Sequence, residues 1–574
     1  MPTNLSRLRG TRPLVIAVAT ALAFTACTSP DSSSDPDGSR TDAASTEESS
    51  AALTATTADV GETVVLQDES PDTLAVAASQ TLFTNAPVVV VAADGEQLRA
   101  ASAAAALGVP VLLDGPDVAN EVERLGAEVA LALGPISDPG IDVVVPEDDA
   151  TLAELVGASN PDDTDPVPDG GNIASLMAMD VDSPQLLITD TTTAEPSATD
   201  ASSTPSSATA PDATSLESDR DELPAIQRPA AAEGVVVMTT GDDRDTLAVG
   251  TALASGAEVM VVPGGDPRAT SDSVQALAEA QPSAAVGIGP EFVDAATLTG
   301  RLQVAATGVE LPGGGQLVLP RKTYVALYGH PGAPVLGVLG EQDAQATVER
   351  AAAVASEYDS LTEQPVVPAM EIIATVASAE AGPDGNYSNE VAVETLRPFV
   401  DLAGENGQYV VLDLQPGRTD FVTQAKLYEE LLTLPHVGLA LDPEWRLLPN
   451  EVHLRQIGHV EVAEVNEVVT WLADLTRENE LPQKMLILHQ FQVQMLRDVN
   501  QVDQSRPEVA VLIHVDGQGP QPTKQETWRT LHDNATSVNY WGWKNFYDED
   551  IPGPLSPADT MSEVDPVPDF ISYQ

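Results

Sequence analysis

The sequence predicts an α/β protein with two parts. Repeated β-α-β-α-β layers on a parallel sheet come first, and a C-terminal (β/α)8-like barrel follows. Three observations carry this expectation. Short, continuous apolar runs such as Val88-Val89-Val90-Val91 and Val509-Ala510-Val511-Leu512-Ile513 read as strands buried on both faces. Between them lie Ala-rich or amphipathic stretches of helical length, such as Leu98–Leu107 and Val462–Arg477. The apolar runs end in Gly, Asp, Glu or His, and parallel α/β folds collect ligands and chemistry at such strand exits.

Length and charge bound the rest. At 574 residues the chain exceeds one hydrophobic core, so two or three domains are expected. A net charge of −62 excludes the basic face that nucleic-acid binding requires, and it repels anionic membrane surfaces. Lysine occurs only at Lys322, Lys426, Lys484, Lys524 and Lys544. The one cysteine, Cys27, rules out an intramolecular disulfide.

Cys27 follows a basic segment with Arg7, Arg9 and Arg12 and an apolar run from Leu14 to Phe24. That run is short for a membrane span and has the order of a signal peptide. Phe24-Thr25-Ala26-Cys27 resembles a bacterial lipobox, with Phe in place of the usual Leu. The resemblance implies cleavage of residues 1–26 and lipidation of Cys27, which would hold the protein on the outer face of the cell membrane. Residues 27–60, rich in Ser, Thr, Asp and Ala, then read as a disordered tether.

The layered part is expected over 61–300. Its first pass runs through Val88–Val91, the helix Leu98–Leu107, Val109–Leu113, a helix over Val118–Leu125 and Val129–Leu133, closing with Gly134-Pro135. A segment rich in Ser, Thr and Pro at about 190–228 reads as a disordered insertion. The pattern then returns with Val235–Met238, a helix over Asp245–Ala254, Glu258–Val262, a helix near Ser273–Ala280 and Ala285–Ile288, closing with Gly289-Pro290. Two passes with one order form an internal repeat. Ala93-Asp94-Gly95 with Val109-Pro110-Val111-Leu112-Leu113, and Thr240-Gly241-Asp242-Asp243 in the second copy, resemble the type 2 cell-wall-binding repeat of Gram-positive surface proteins. The resemblance covers 61–145 and 230–295 and implies a cell-wall polymer as partner. The run Gly313-Gly314-Gly315 lacks the Lys-Ser/Thr of a phosphate loop and reads as a turn.

Residues 321–574 carry the barrel pattern. Seven strands are expected: Thr323–Gly329, Met370–Ala377, Gln408–Leu414, Val437–Leu441, Lys484–His489, Val509–Val515 and Ser537–Trp543. Helices are expected at Ala344–Tyr358, Asn389–Ala403, Phe421–Leu432, Val462–Arg477, Gln492–Val499 and Thr523–His532. Seven strands in about 250 residues suit a (β/α)8-like barrel with one strand unrecognised, and an open doubly wound sheet is the alternative.

Carboxylates, imidazoles and tryptophans gather at the strand exits, which points to a carbohydrate site. Aromatic faces stack on sugar rings, and glycosidic cleavage needs one carboxylic acid and one carboxylate. Asp442-Pro443-Glu444 places two acids two residues apart, which aims both to one face of an extended segment. The candidate catalytic residues are Glu444 as acid, with Asp442 or Asp413 as nucleophile or base. Trp445, His489, His514, Asp516, Trp541 and Trp543 are candidate substrate-binding residues. The Asp-x-Glu strand end resembles glycoside-hydrolase-type barrels, although the full Asp-x-x-Asp-x-Asp-x-Glu pattern of the chitinase-like family is missing. A metal hydrolase using His330, His489, His514, Asp413 and Asp516 is the enzymatic rival, but no His-x-His or His-Glu-x-x-His spacing supports it. No Gly-x-Ser-x-Gly elbow is present. No metal or cofactor is expected. A lipoprotein that binds wall polysaccharide without cleaving it is the alternative function.

Overall fold

The computed structural model describes residues 52–159, 167–168, 170–188 and 216–574. Cys27, the expected signal peptide and most of the expected tether lie outside these residues, as does most of the expected insertion. The ends of both segments that are described are not free chain. Leu53–Thr54 pairs in parallel with Ile226–Gln227, and Thr56–Thr57 pairs with Phe83–Asn85. Asp219 runs beside Val143, exchanging Asp219 N–H to Val143 O at 2.8 Å with Val143 N–H to the Asp219 carboxylate at 3.1 Å. These segments carry enough apolar side chains, such as Leu216, Leu223 and Ile226, to pack against the core.

Two four-stranded parallel sheets make the layered part. Strands β1 (Val64–Leu66), β2 (Val88–Ala92), β3 (Val111–Leu113), β4 (Val129–Leu133) and β5 (Asp142–Val144) precede the insertion. Strands β6 (Val235–Thr239), β7 (Glu258–Val261) and β8 (Ala284–Ile288) follow it. The orders are β3-β2-β4-β5 and β7-β6-β8-β1. Within each pass the first strand, β2 or β6, thus lies between the second and third. The fourth position comes from downstream in one sheet and from upstream, by β1, in the other. Helices α1 (Pro71–Leu82), α2 (Gln97–Leu107) and α3 (Val118–Leu125) cover the first sheet. Helices α4 (Thr246–Ala254), α5 (Ser271–Ala280) and α6 (Ala295–Ala306) accompany the second. The layers meet where α4 packs on α1 and α2. Gly250 permits that contact, because a Cβ there would sit 2.6 Å from Ala101 Cβ. Half-buried Arg228 donates to the carbonyls of Ala105, Ala106 and Leu253, satisfying helix ends that lack intrahelical partners.

The C-terminal part is a closed barrel of eight parallel strands, each hydrogen-bonded to its neighbours in sequence. They are β9 (Thr323–Gly329), β10 (Val366–Ala377), β11 (Tyr409–Leu414), β12 (Val437–Leu441), β13 (Lys484–Gln490), β14 (Val509–Val515), β15 (Tyr540–Asn545) and β16 (Phe570–Tyr573). Pairing of β9 with both β10 and β16 closes the ring. The strand unrecognised in the sequence is β16. The helix expected at Asn389–Ala403 starts at Val393, because Ser388–Glu390 adds an antiparallel strand to the end of β10. The helix expected at Gln492–Val499 is absent. Leu496–Arg497 pairs instead with Val460–Glu461, flanked by single 3-10 turns. Gly313, Gly314 and Gly315 all have positive φ and form a turn, as expected.

That turn leads into the contact between the two parts. The Gln316 amide donates to Arg268 O at 2.7 Å, and the Gln483 amide donates to Gln316 O at 2.8 Å. The Arg268 guanidinium holds Asp266 at 2.8 Å and reaches Pro507 O at 3.4 Å. Gln483 and Pro507 immediately precede β13 and β14, so the layers sit under the strand-start end of the barrel. The strand-exit end faces away from them. No helix among the described residues is long and apolar enough to cross a membrane.

Strand alternation divides the barrel interior by height. Near the strand starts, Val367, Ala369, Tyr409, Val411, Met485, Ile487, Leu512 and Phe570 form one apolar cluster. One step further along the same inward-facing series come Tyr328, Glu371, Asp413, Asp442, His489, His514, Lys544 and Ser572. All are buried. Gly542 makes room among them, since a Cβ there would lie 2.8 Å from His514 Cδ2.

Candidate functional site

A pocket of about 400 Å3 opens at the strand exits. Tyr328, Asp442, Glu444, Trp445, Phe491, Asp516, Lys544 and Phe546 line it. Asp442 directly follows β12, and its carboxylate accepts the Glu444 amide at 3.2 Å. This closes a 3-10 turn over Pro443–Trp445 that presents Glu444 and Trp445 to the pocket. Asp442-Pro443-Glu444 is therefore both a turn and a part of the pocket wall.

Beneath the pocket floor lies a charged network centred on His489. Its Nε2 is 2.7 Å from Glu371 Oε1, and its Nδ1 is 3.0 Å from Asp516 Oδ2. An imidazole meeting a carboxylate at each nitrogen donates from both, which is the geometry of the imidazolium. Burial alone would pull its pKa down, but Glu371, Asp516 and Asp413 together hold it well above the ordinary histidine value. Asp413 lies 3.9 Å from His489 Nε2 and accepts the Tyr328 hydroxyl at 2.8 Å. Lys544 Nζ rests 3.3 Å from the centre of the Tyr328 ring. His514 Nε2 is hydrogen-bonded to Ser572 Oγ at 3.0 Å, and its Nδ1 stands 3.6 Å from Glu371 Oε2.

These surroundings separate the acids into two groups. Burial, then the neighbouring Asp516 charge, raises Glu444 to about 7. Burial raises Asp413 to about 6 and Asp442 well above the carboxylate range. For Glu371 burial pushes upward, yet the two histidines outweigh it and hold the group below its ordinary value. Asp516 behaves likewise. Burial opposes its ionisation, but the His489 hydrogen bond and charge keep it low. The pocket wall thus carries an acid that keeps its proton near neutral pH and a carboxylate that does not.

Of the residues singled out from the sequence, Asp442, Glu444, Trp445 and Asp516 line the pocket together. Asp413, His489 and His514 lie below it, fully buried. Trp541 and Trp543 do not reach it. Gly542 and Lys544 take the inward positions of β15, which turns both tryptophans outward. There Trp541 stacks on His532 at 3.5 Å, and Trp543 packs edge-on to Trp528 at 5.6 Å. His532 and Trp528 belong to helix α7 (Gln521–Asn534). His330, from the metal alternative, bonds Ile373 O at 3.0 Å instead of joining the cluster.

Glu371 and Lys544 are the residues that reading the strand exits overlooks. Their signal is a lone charge inside an apolar or aromatic run, Met370-Glu371-Ile372 and Trp543-Lys544-Asn545. Glu371, His489 and His514 offer ligand atoms within 4.8 Å of one another, the one such grouping among the described residues. A metal there would have to displace the proton that His489 shares with Glu371.

No family model matches the chain, and no curated protein matches it. Among solved structures, Cwp6 from Clostridium difficile is similar with a TM-score of 0.29 and 13% identity, over 62% of this chain and 63% of that one. The chain therefore spans less than two thirds of that protein's length.

Proposed function

We propose that this is a lipid-anchored protein of the cell envelope whose barrel cleaves or remodels an envelope glycan, with the layered repeats holding wall polymer. The observation that carries the catalytic part is the opposite displacement of Glu444 and Asp516 on one pocket wall. Two carboxyl groups pushed apart in pKa are the pattern of acid and base in one site. Glu444 donates its proton to the leaving glycosidic oxygen. Asp516, ionised and oriented by His489, serves as base or nucleophile, the role first assigned to Asp442 or Asp413. Burial disfavours ionisation of both; Asp442 holds the turn that presents Glu444, and Asp413 lies below the pocket against Tyr328 and His489. The Trp445 face supplies the platform for a sugar ring.

The test is glycan release from purified envelopes by wild type and by Glu444→Gln. Removing a general acid lowers turnover by about 10²- to 10⁴-fold, so release by the variant should be nearly lost. Equal release by both contradicts the assignment, and release by neither favours the polysaccharide-binding alternative. Anchoring is tested separately. Incorporation of a palmitate analogue should vanish in Cys27→Ala, and persistence would refute the lipoprotein reading.

A further inference from the structure

A second cavity, of about 320 Å3, lies on the far side of Glu444 and Trp445 and shares those two residues with the first. The loop after the 3-10 turn builds it. Gly458 folds that loop back so closely that a Cβ would lie within 2.5 Å of the carbonyl oxygens of Pro443, Glu444 and Arg446. His453 Nε2 bonds Tyr387 O at 2.9 Å and sets its ring 5.3 Å from that of Trp445. The Arg418 guanidinium caps the Tyr387 ring at 4.4 Å. The wall is therefore held by a tier of edge-to-face aromatic contacts capped by Arg418.

Leu454 stands on the rim of this cavity at two costs to the fold. Its backbone takes φ +64, a conformation that disfavours any residue with a Cβ. Its side chain is 85% exposed, so the strain gains no apolar burial. Arg455 beside it has no ion-pair partner among the described residues. A strained, exposed leucine on the rim of a cavity that shares Glu444 and Trp445 with the pocket is explained by a ligand that covers it.

We infer that this cavity is a second saccharide subsite, which holds the unit on the leaving side of the bond above Glu444. The inference rests on the glycan reading of the first pocket and specifies its substrate. The substrate spans both cavities and is at least two units long. The unit in the second cavity lays its apolar ring face between Trp445 and Leu454 and can present an anionic substituent to Arg455. A single unit fills only one cavity and leaves Leu454 uncovered.

Binding rather than turnover tests this. Full-length Glu444→Gln is titrated calorimetrically with size-fractionated oligosaccharides of one, two and three units, obtained by partial acid hydrolysis of envelopes. Affinity should rise by about tenfold or more from one unit to two, corresponding to about 1.4 kcal/mol. Adding Leu454→Gly should weaken binding of the two-unit ligand by about 3- to 10-fold, the worth of one ring-face contact. The melting temperature of that variant should stay level or rise, because glycine adopts positive φ freely. Equal affinity for one and two units, or two-unit binding unaffected by Leu454→Gly, overturns the second subsite alone. Failure of oligosaccharides of every length to bind overturns the glycan reading and the subsite with it.

Discussion

The layered part and the barrel are made from the same unit, an apolar strand followed by a helix, yet they treat their strand exits differently. In the layers the exits lie side by side along a sheet, and polar groups there pair within one exit or with the adjacent one. Asp245, just beyond β6, accepts the Thr239 hydroxyl at 2.6 Å, and Arg244 pairs with Glu291 at 2.8 Å. In the barrel the exits form a ring, so charges meet across the lumen. Glu371 on β10 reaches His489 on β13 at 2.7 Å, and Asp516, just past β14, reaches it from the other side. Closure puts groups distant in sequence into one dry volume. There, charge is stabilised by partners rather than water. A parallel sheet supplies exits, and bending it into a ring makes them a site.

Removing His489 should give the largest effect. His489→Ala leaves Glu371 and Asp516 buried without their shared cation, a change that costs about 3–5 kcal/mol. Denaturant unfolding measures it, and a loss near zero would mean that water or another cation already neutralises the pair. In the layers the sensitive point is packing. Gly250→Val drives a side chain into Ala101 and should cost about 1–3 kcal/mol. Envelope glycan release per folded molecule should not change, and a fall would show that the layers and the barrel mouth are coupled.

The pH dependence of stability draws on both regions. Glu444 is raised to about 7, and Asp413, Asp245 and Asp569 to about 6, burial being the main cause in each. Ionising them works against the fold, so their contribution is complete below the ordinary carboxylate range and is lost as pH rises through 6 to 7. Glu371, Asp516 and Asp266 are held low by histidine or arginine partners. Their contribution is present above the ordinary range and is lost on acidification. Melting temperature should therefore peak near about pH 5 and fall on both sides. A maximum above pH 7 would contradict the raised group. The smallest effect belongs to Arg244→Ala, where partly exposed pairs contribute about 0–1 kcal/mol.

Much of the architecture was legible because buried parallel strands are continuous apolar runs. Val437–Leu441 and Val509–Val515 coincide with their expected bounds. Strand β16 was not legible. Phe570–Tyr573 is four residues long, follows a proline-rich stretch, and carries an inward serine that breaks the apolar run. Gln492–Val499 has helix-like spacing, but pairing of Leu496–Arg497 with Val460–Glu461 overrides it. In the site, Asp442, Glu444, Trp445 and Asp516 were readable as strand exits. The misplacement of Trp541 and Trp543 has a simple cause. Alternation tells which residues share a face but not which face is inside, and on β15 the inner face belongs to Gly542 and Lys544. Glu371 escaped attention because it stands mid-strand, where burial usually excludes charge.

On the proposed mechanism the barrel mouth holds an acid and a base made different by their surroundings. The most direct measurement is the pH profile of envelope glycan release by the wild-type chain under limiting substrate. Release should fall on the alkaline side with a midpoint near the Glu444 value of about 7, as the acid loses its proton. On the acid side it should persist to below the ordinary aspartate range, because His489 keeps Asp516 ionised. A profile flat through pH 8, or one falling only near the ordinary glutamate value, would contradict the assignment.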